Sequence, residues 1–286
     1  MIPRVSAITA NTLTDLARQK VFYFLLIFAL VVIGSSVGLA QFTFQQEFQI
    51  LKDISLGAMS IATSLLAVLA TARLIPQDIE DRTIYTILAK PVPRFEYVLG
   101  RLLGVLLLLG LSMAVMSALF LIVLGSREQA LISETMRQLA HAPRDQLDDA
   151  LRAVRISALN ANLLPGIVII YLKACLLAAL TLFVSTFATT NIFTVIVMAF
   201  VYVIGHFEAL AHEYWLEQHS ASWLTQAFLA LVAFIFPDLQ AFNLVDDVVA
   251  GAVIGTGLFF KTALLALFYT TMYTLLAVVA FWGKEL

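Results

Sequence analysis

Charge is scarce in this chain. Of its 286 residues, 13% are Asp, Glu, Lys or Arg and 61% are hydrophobic, whereas soluble proteins carry about 25% charged residues. A soluble body of this size could not hide so much apolar surface, and the mean hydropathy of +0.95 agrees. Disordered and fibrous chains are excluded on the same grounds. A formal net charge of -2 gives nucleic acid nothing to hold, so no nucleic-acid partner is expected. The single cysteine, Cys175, allows no internal disulfide. A G-x-x-x-x-G-K-S/T phosphate loop is missing too, so any ATP chemistry must come from a separate polypeptide. The chain is expected to be no enzyme by itself and to hold no metal or cofactor of its own.

What remains is a series of long apolar runs. A membrane helix needs about 20 such residues, which predicts an all-α polytopic membrane protein, a single domain over 1–286. Six spans are expected, at about 21–40, 54–75, 98–124, 164–187, 191–207 and 258–282. The stretch 174–207 carries no Asp, Glu, Lys or Arg and is too long for one crossing. Its polar middle, Ser185, Thr186, Thr189, Thr190 and Asn191, reads as the turn of a helical hairpin. Residues 224–236 are apolar but only about a dozen, and Pro237 stops them; that length suits a re-entrant segment within an outer stretch 208–257, with a seventh span as the alternative. Residues 1–20 are polar and precede a run too long for a signal peptide's apolar core. Val5, Ile8, Leu13 and Leu16 share one side and Asn11, Asp15 and Arg18 the other, predicting an N-terminal interfacial helix. In 126–162, Leu131, Met136, Leu139, Leu147, Leu151 and Val154 recur at roughly helical spacing. They predict two short helices broken near Pro143, with a solvated loop as the alternative.

Orientation follows from the basic residues, which stay on the cytoplasmic side. Arg4, Arg18 and Lys20 precede the first span, and Arg73, Arg82, Lys90, Arg94 and Arg101 lie between the second and third. Residues 207–257 contain no Lys or Arg but include Glu208, Glu213, Glu217, Asp238, Asp246 and Asp247. Both termini are therefore expected inside, with 126–162 and 208–257 outside.

Several motifs need weighing. Gly34-Ser35-Ser36-Val37-Gly38 matches G-x-S-x-G, but a nucleophile elbow needs a strand-to-helix turn and this one lies within a span. Gly34/Gly38, Gly100/Gly104 and Gly251/Gly255 read instead as small faces for helix packing. His206, His212 and His219 lie near Glu208, Glu213 and Glu217, but Leu216 breaks H-E-x-x-H; an acidic, solvated interfacial helix is the expected reading, with a metal site as the alternative. Lys173 is the one ionisable residue deep in a span. It either snorkels outward or simply packs, or it lines a transport path or a dimer seam.

Residues 76–101 read PQDIEDRTIYTILAKPVPRFEYVLGR. Pro76 suits a first helical turn, and Asp78, Glu80 and Asp81 suit its positive end. Asp78, Asp81, Arg82 and Tyr85 form a polar stripe and Ile84, Ile87 and Leu88 an apolar one, predicting an amphipathic helix over 76–90 against the inner face. Asp78 and Arg82 can pair at i, i+4. Pro91 and Pro93 end it, and Arg94 and Arg101 flank the next span. A protein driven by a soluble partner needs such a rigid, gripped element.

This loop resembles the signature of the ABC-2 type transporter permeases. Asp78 and Glu80 match its acids, Thr83 its Thr, Leu88 its apolar position, Pro91 its Pro, Arg94 its Arg, and Gly100-Arg101 its Gly-Lys. Arg82 stands where Gly is usual, and Arg101 replaces Lys. The wording is closest in look to the bacterial subgroup of copper-processing permeases. The resemblance implies a type V exporter-like membrane subunit, multi-pass in the bacterial cell inner membrane. It implies a second permease copy or homologue, and a cytoplasmic ABC ATPase subunit that carries ATP and Mg. Residues 76–90 would be the coupling helix. Asp78, Glu80, Asp81, Arg82, Thr83, Tyr85, Leu88, Pro91 and Arg94 are then the candidate coupling residues, and Lys173 the candidate path residue. The rival is an ion-coupled carrier or channel, which calls for several mid-membrane ionisable residues and an internal repeat. A structural scaffold would need no charged inner helix.

The topology can be tested in a Cys175→Ala background. Val5→Cys and Tyr85→Cys are expected to react with impermeant thiol reagent only from the cytoplasm, and Asp145→Cys and Trp215→Cys only from outside. Labelling of either of the last two from the cytoplasm alone would overturn the orientation.

Overall fold

A computed structural model describes residues 2–40, 47–82, 93–140, 143–158, 162–218, 237–250 and 255–283, with side chains apart from those at 39–40, 207–218, 246–247 and 250. The described residues form ten α-helices and a 3-10 turn, with no strand. These are α1 (Ile2–Ala17), α2 (Lys20–Ala40), α3 (Glu47–Ala72), α4 (Leu74–Glu80), α5 (Arg94–Gln138), α6 (Arg144–Ala158), α7 (Leu163–Phe187), α8 (Asn191–Gln218), the 3-10 turn Gln240–Phe242, α9 (Val245–Ala250) and α10 (Thr256–Trp282).

Helix α7 is apolar on every side, as a helix surrounded by others must be. Ile169, Ala174, Leu176, Ala178, Leu182 and Thr181 are all buried, and α3, α5, α8 and α10 pack around it. The outer helices keep large apolar side chains exposed, such as Phe24, Phe28 and Val31 on α2 and Leu264, Phe268 and Leu275 on α10. That pattern suits lipid rather than water.

Five helices, α2, α3, α5, α7 and α10, are long and apolar enough to cross a membrane. The expected fifth span, 191–207, starts where predicted, because Ala188 leaves the helical conformation and Asn191 opens α8. Its apolar part, Asn191–His206, is shorter than the other five, and the helix continues unbroken to Gln218. The expected pair of outer helices differs similarly. The first is no separate helix but the end of α5, which runs 45 residues from Arg94 to Gln138; the second, α6, begins directly after Pro143. The candidate re-entrant residues 224–236 lie outside the described residues.

Two ends of the bundle are marked by polar ties. At one, Arg127 pairs with Glu47 (2.6 Å), and the buried Lys52 ammonium donates to the Ser157 carbonyl (2.6 Å) in the last turn of α6. This cation at a helix C-terminus fastens α6 to α3. The other end gathers α1, α4, the start of α5 and the end of α10.

Helix α1 buries the side predicted for it, Leu16 fully and Val5, Ile8 and Leu13 partly, while Asn11, Asp15 and Arg18 stay exposed. Its partner is the base of α5, and the centre of its buried face is Thr9 and Thr12. Gly100 and Gly104 make this approach possible: a Cβ on Gly100 would lie 2.8 Å from the Ile8 Cβ, and one on Gly104 2.6 Å from the Thr12 Cβ. Of the three small-residue pairs, this one is a packing seam. Gly34, Gly38 and Gly255 have nothing within 4 Å of such a Cβ, and Gly251 is outside the described residues.

Replacing Gly104 by Ala sets a helix-propensity gain of about 1 kcal/mol against overpacking of about 1–3 kcal/mol, because β-branched Thr12 cannot rotate its Cβ away. Gly104→Ala is expected to lower the melting temperature in detergent, and Gly34→Ala to leave it level or raised.

Candidate functional site

The expected continuous helix over 76–90 does not form. Helix α4 starts at Leu74, buries Leu74, Ile75 and Pro76, and ends at Glu80. The Asp81 N–H still reaches the Gln77 carbonyl (2.8 Å), but the Arg82 N–H turns back to the Ile79 carbonyl (3.2 Å), and Arg82 has φ +57°. This left-handed residue just past the helix end is the usual stop signal, normally a glycine. Arg82 occupies the position where the resembling loop carries Gly, so the departure in sequence falls on the residue that pays for the turn in backbone strain. Thr83, Tyr85, Leu88 and Pro91, with the anchors Ile84 and Ile87, lie outside the described residues.

The polar stripe is also divided. Glu80, Asp81 and Arg82 are exposed, as expected. Asp78 is not: its carboxylate accepts hydrogen bonds from the Tyr97 hydroxyl and the Arg101 guanidinium of α5. The Asp78 and Arg101 side chains are only 13% and 8% exposed. Helical geometry explains this, since Asp78 is one turn beyond Leu74 and Ile75 and shares their inward side. Arg101 also donates to the Thr12 hydroxyl (3.3 Å), which in turn donates to the Ile8 carbonyl (2.8 Å), and the Thr9 hydroxyl donates to the Gly100 carbonyl (3.2 Å). The guanidinium lies 5.5 Å from the Tyr97 ring centroid, and that ring stacks on Phe281 of α10 with centroids 5.5 Å apart. One ion pair thus joins α4, α5 and α1, and its aromatic neighbour extends the cluster to α10.

Arg94, another candidate, donates to the Phe281 and Trp282 carbonyls (3.2 and 2.6 Å). It places a cation on the negative end of α10 and ties the base of α5 to that helix. Glu96, in the first turn of α5, is 4% exposed, and its Oε2 has no hydrogen-bond partner among the described residues; the positive end of the helix is its compensation. Tyr97 and Thr12 were not identified from sequence. The available signal was the i, i+4 spacing of Tyr97 and Arg101, together with threonines opposite two glycines.

Lys173 does not snorkel. It is 3% exposed, and its ammonium lies 3.2 Å from His206 Nε2 of α8 and 5.6 Å from the Tyr202 ring centroid. His206 Nδ1 sits 2.8 Å from the Tyr202 carbonyl. A carbonyl can only accept, so Nδ1 carries a proton and Nε2 is left to accept from lysine. His206 is therefore occupied within the bundle. The side chains of His212 and His219 are outside the description, and among the described residues no three His, Cys, Asp or Glu groups gather as a metal site.

These features define a polytopic helical membrane protein with a charged cluster at one end of its bundle. Over residues 8–143, a little under half of the chain, it is similar to the family described as CcmB protein. The match spans α1 to α5 and so contains Asp78, Tyr97 and Arg101. No curated protein matches the chain.

Removing one partner of a buried ion pair costs roughly 3 kcal/mol or more. Arg101→Gln is expected to lower thermal stability in detergent by about that amount, whereas Arg82→Gly should raise it by up to about 1 kcal/mol by releasing left-handed strain. A glycine variant clearly less stable than the parent would show that the Arg82 side chain, not its backbone, matters there.

Proposed function

We propose that the chain is the membrane-spanning permease subunit of an ABC transporter of the ABC-2 type, working with a separate ATPase that binds ATP and Mg. The similarity to the CcmB family carries this reading, because that family supplies the membrane component of ABC-type exporters and works with an ABC ATPase partner. In this reading six helices cross the bacterial inner membrane, α8 being the sixth, and both termini face the cytoplasm. A second copy or homologue completes the path, and transport is directed outward.

The ATPase would grip the exposed Glu80, Asp81 and Arg82 with the chain that follows. Asp78 takes a different part from the one expected of it: it fastens α4 to Arg101 and Tyr97, so that a push on the exposed turn reaches α5, α1 and α10 together. Transport then follows from biasing a two-state bundle. Lys173 and His206 would line the path where α7 meets α8, since a buried ammonium with no carboxylate ion pair among the described residues is costly and often functional.

The test is pull-down of the ATPase, its turnover and transport at equal membrane expression. The double reversal Asp81→Arg/Arg82→Asp is expected to weaken binding or uncouple hydrolysis, by about 2–5 kcal/mol if the charges become buried at the interface and much less at a wet rim. Lys173→Met should spare binding and reduce transport. Parent-like behaviour of the double reversal would remove coupling from this turn, and full transport by Lys173→Met would remove it from the path.

A further inference from the structure

At the basic end, Arg73 stands between two spaces of opposite character. On one side is a polar pocket of about 420 Å³ lined by α1 and α4 residues, among them Arg18, Gln19 and Gln77. On the other is an apolar groove of about 490 Å³ between α2, α3 and the start of α8, walled by Val21, Leu69, Val195 and Ile196. Arg73 lines both, and it is the one charged residue among those lining the groove.

The charge of Arg73 is poorly met by protein. Among the described residues its guanidinium has one hydrogen-bond partner, the Gln19 amide oxygen, at a long 3.5 Å. Three carboxylates line the polar pocket: Asp78 is taken by Arg101 and Tyr97, Asp15 accepts from Asn11 (3.0 Å), and Asp81 is exposed at its edge. Among the described residues no carboxylate forms an ion pair with Arg73. A half-buried cation at the boundary of a wet pocket and a dry groove has the layout of a lipid site: charge at headgroup depth, apolar wall below it.

We propose that Arg73 and the α2–α3–α8 groove bind an anionic glycerophospholipid of the adjoining leaflet. Its phosphate and negative headgroup meet Arg73, and one acyl chain lies along Val21, Leu69, Val195 and Ile196. A free anion would use the guanidinium but gain nothing from the groove, which is why a lipid is the occupant. The site is separate from the ATPase reading and can be tested without it.

The full-length chain, purified in detergent, is titrated with phosphatidylglycerol and with phosphatidylcholine of the same acyl chains, and bound lipid is counted by native mass spectrometry. One well-placed cation near a membrane surface gives about a fivefold preference for the anionic lipid. Arg73→Gln is expected to abolish that preference, Arg73→Lys to keep most of it, and Val195→Phe to lower occupancy by both lipids. A parent chain that holds the two lipids equally overturns the proposal whatever the variants do. So does an Arg73→Gln chain with the parent's preference, or displacement of the lipid by glycerophosphate at equal concentration.

Discussion

Between α4 and α5 a carboxylate and a guanidinium are held largely away from water, and four helices depend on their meeting. Charges so placed repay their desolvation only when the remaining hydrogen-bonding capacity is also met. Here Tyr97 gives Asp78 a second donor and Thr12 gives Arg101 a second acceptor, while the buried Arg101 Nε has no partner among the described residues. Each of these partners lies on a different stretch of chain, so the pair determines how closely α1, α4 and α5 approach. The glycines of α5 follow from the same demand. Thr12 reaches the guanidinium because Gly104 leaves it room, and any side chain there would push α1 outward.

Most of the bundle could be read from composition and run length, because lipid imposes one simple rule on any crossing helix. The starts and ends of α2, α7 and α10 and the turn after Phe187 fall within a few residues of expectation. The misreadings share one cause: a periodic pattern does not show where a helix stops. Residues 76–90 keep their stripe through Arg82, yet the backbone turns left-handed there. The glycine of the resembling motif was the clue, since a position that tolerates Gly just after a helix is a helix end. In the outer segment the same limit worked in reverse, and no stop was present to separate α5 from the first expected short helix.

The roles of individual polar groups were less legible still. A helical wheel placed Asp78 beside Asp81, about 60° apart on it, but α4 ends at Glu80, so Asp78 turns inward with Leu74 and Ile75 while Asp81 lies past the last helical residue in solvent. Lys173 allowed two readings because a lysine stem can climb towards the interface. A histidine 33 residues away on the next helix keeps its ammonium inside the bundle, and no local pattern carries that information. Arg94 and Arg101 likewise serve as ties between segments far apart in sequence.

The length of α5 has its own consequence. At 45 unbroken residues it is a rod of roughly 68 Å, more than twice the apolar thickness of a bilayer. Its base is locked to α1, α4 and α10, and its far end packs against α6. A rod of that length amplifies: a tilt of about 5° at the base sweeps the tip through about 6 Å. A displacement too small to disturb the packing around Arg101 would therefore be a large one for whatever touches α6.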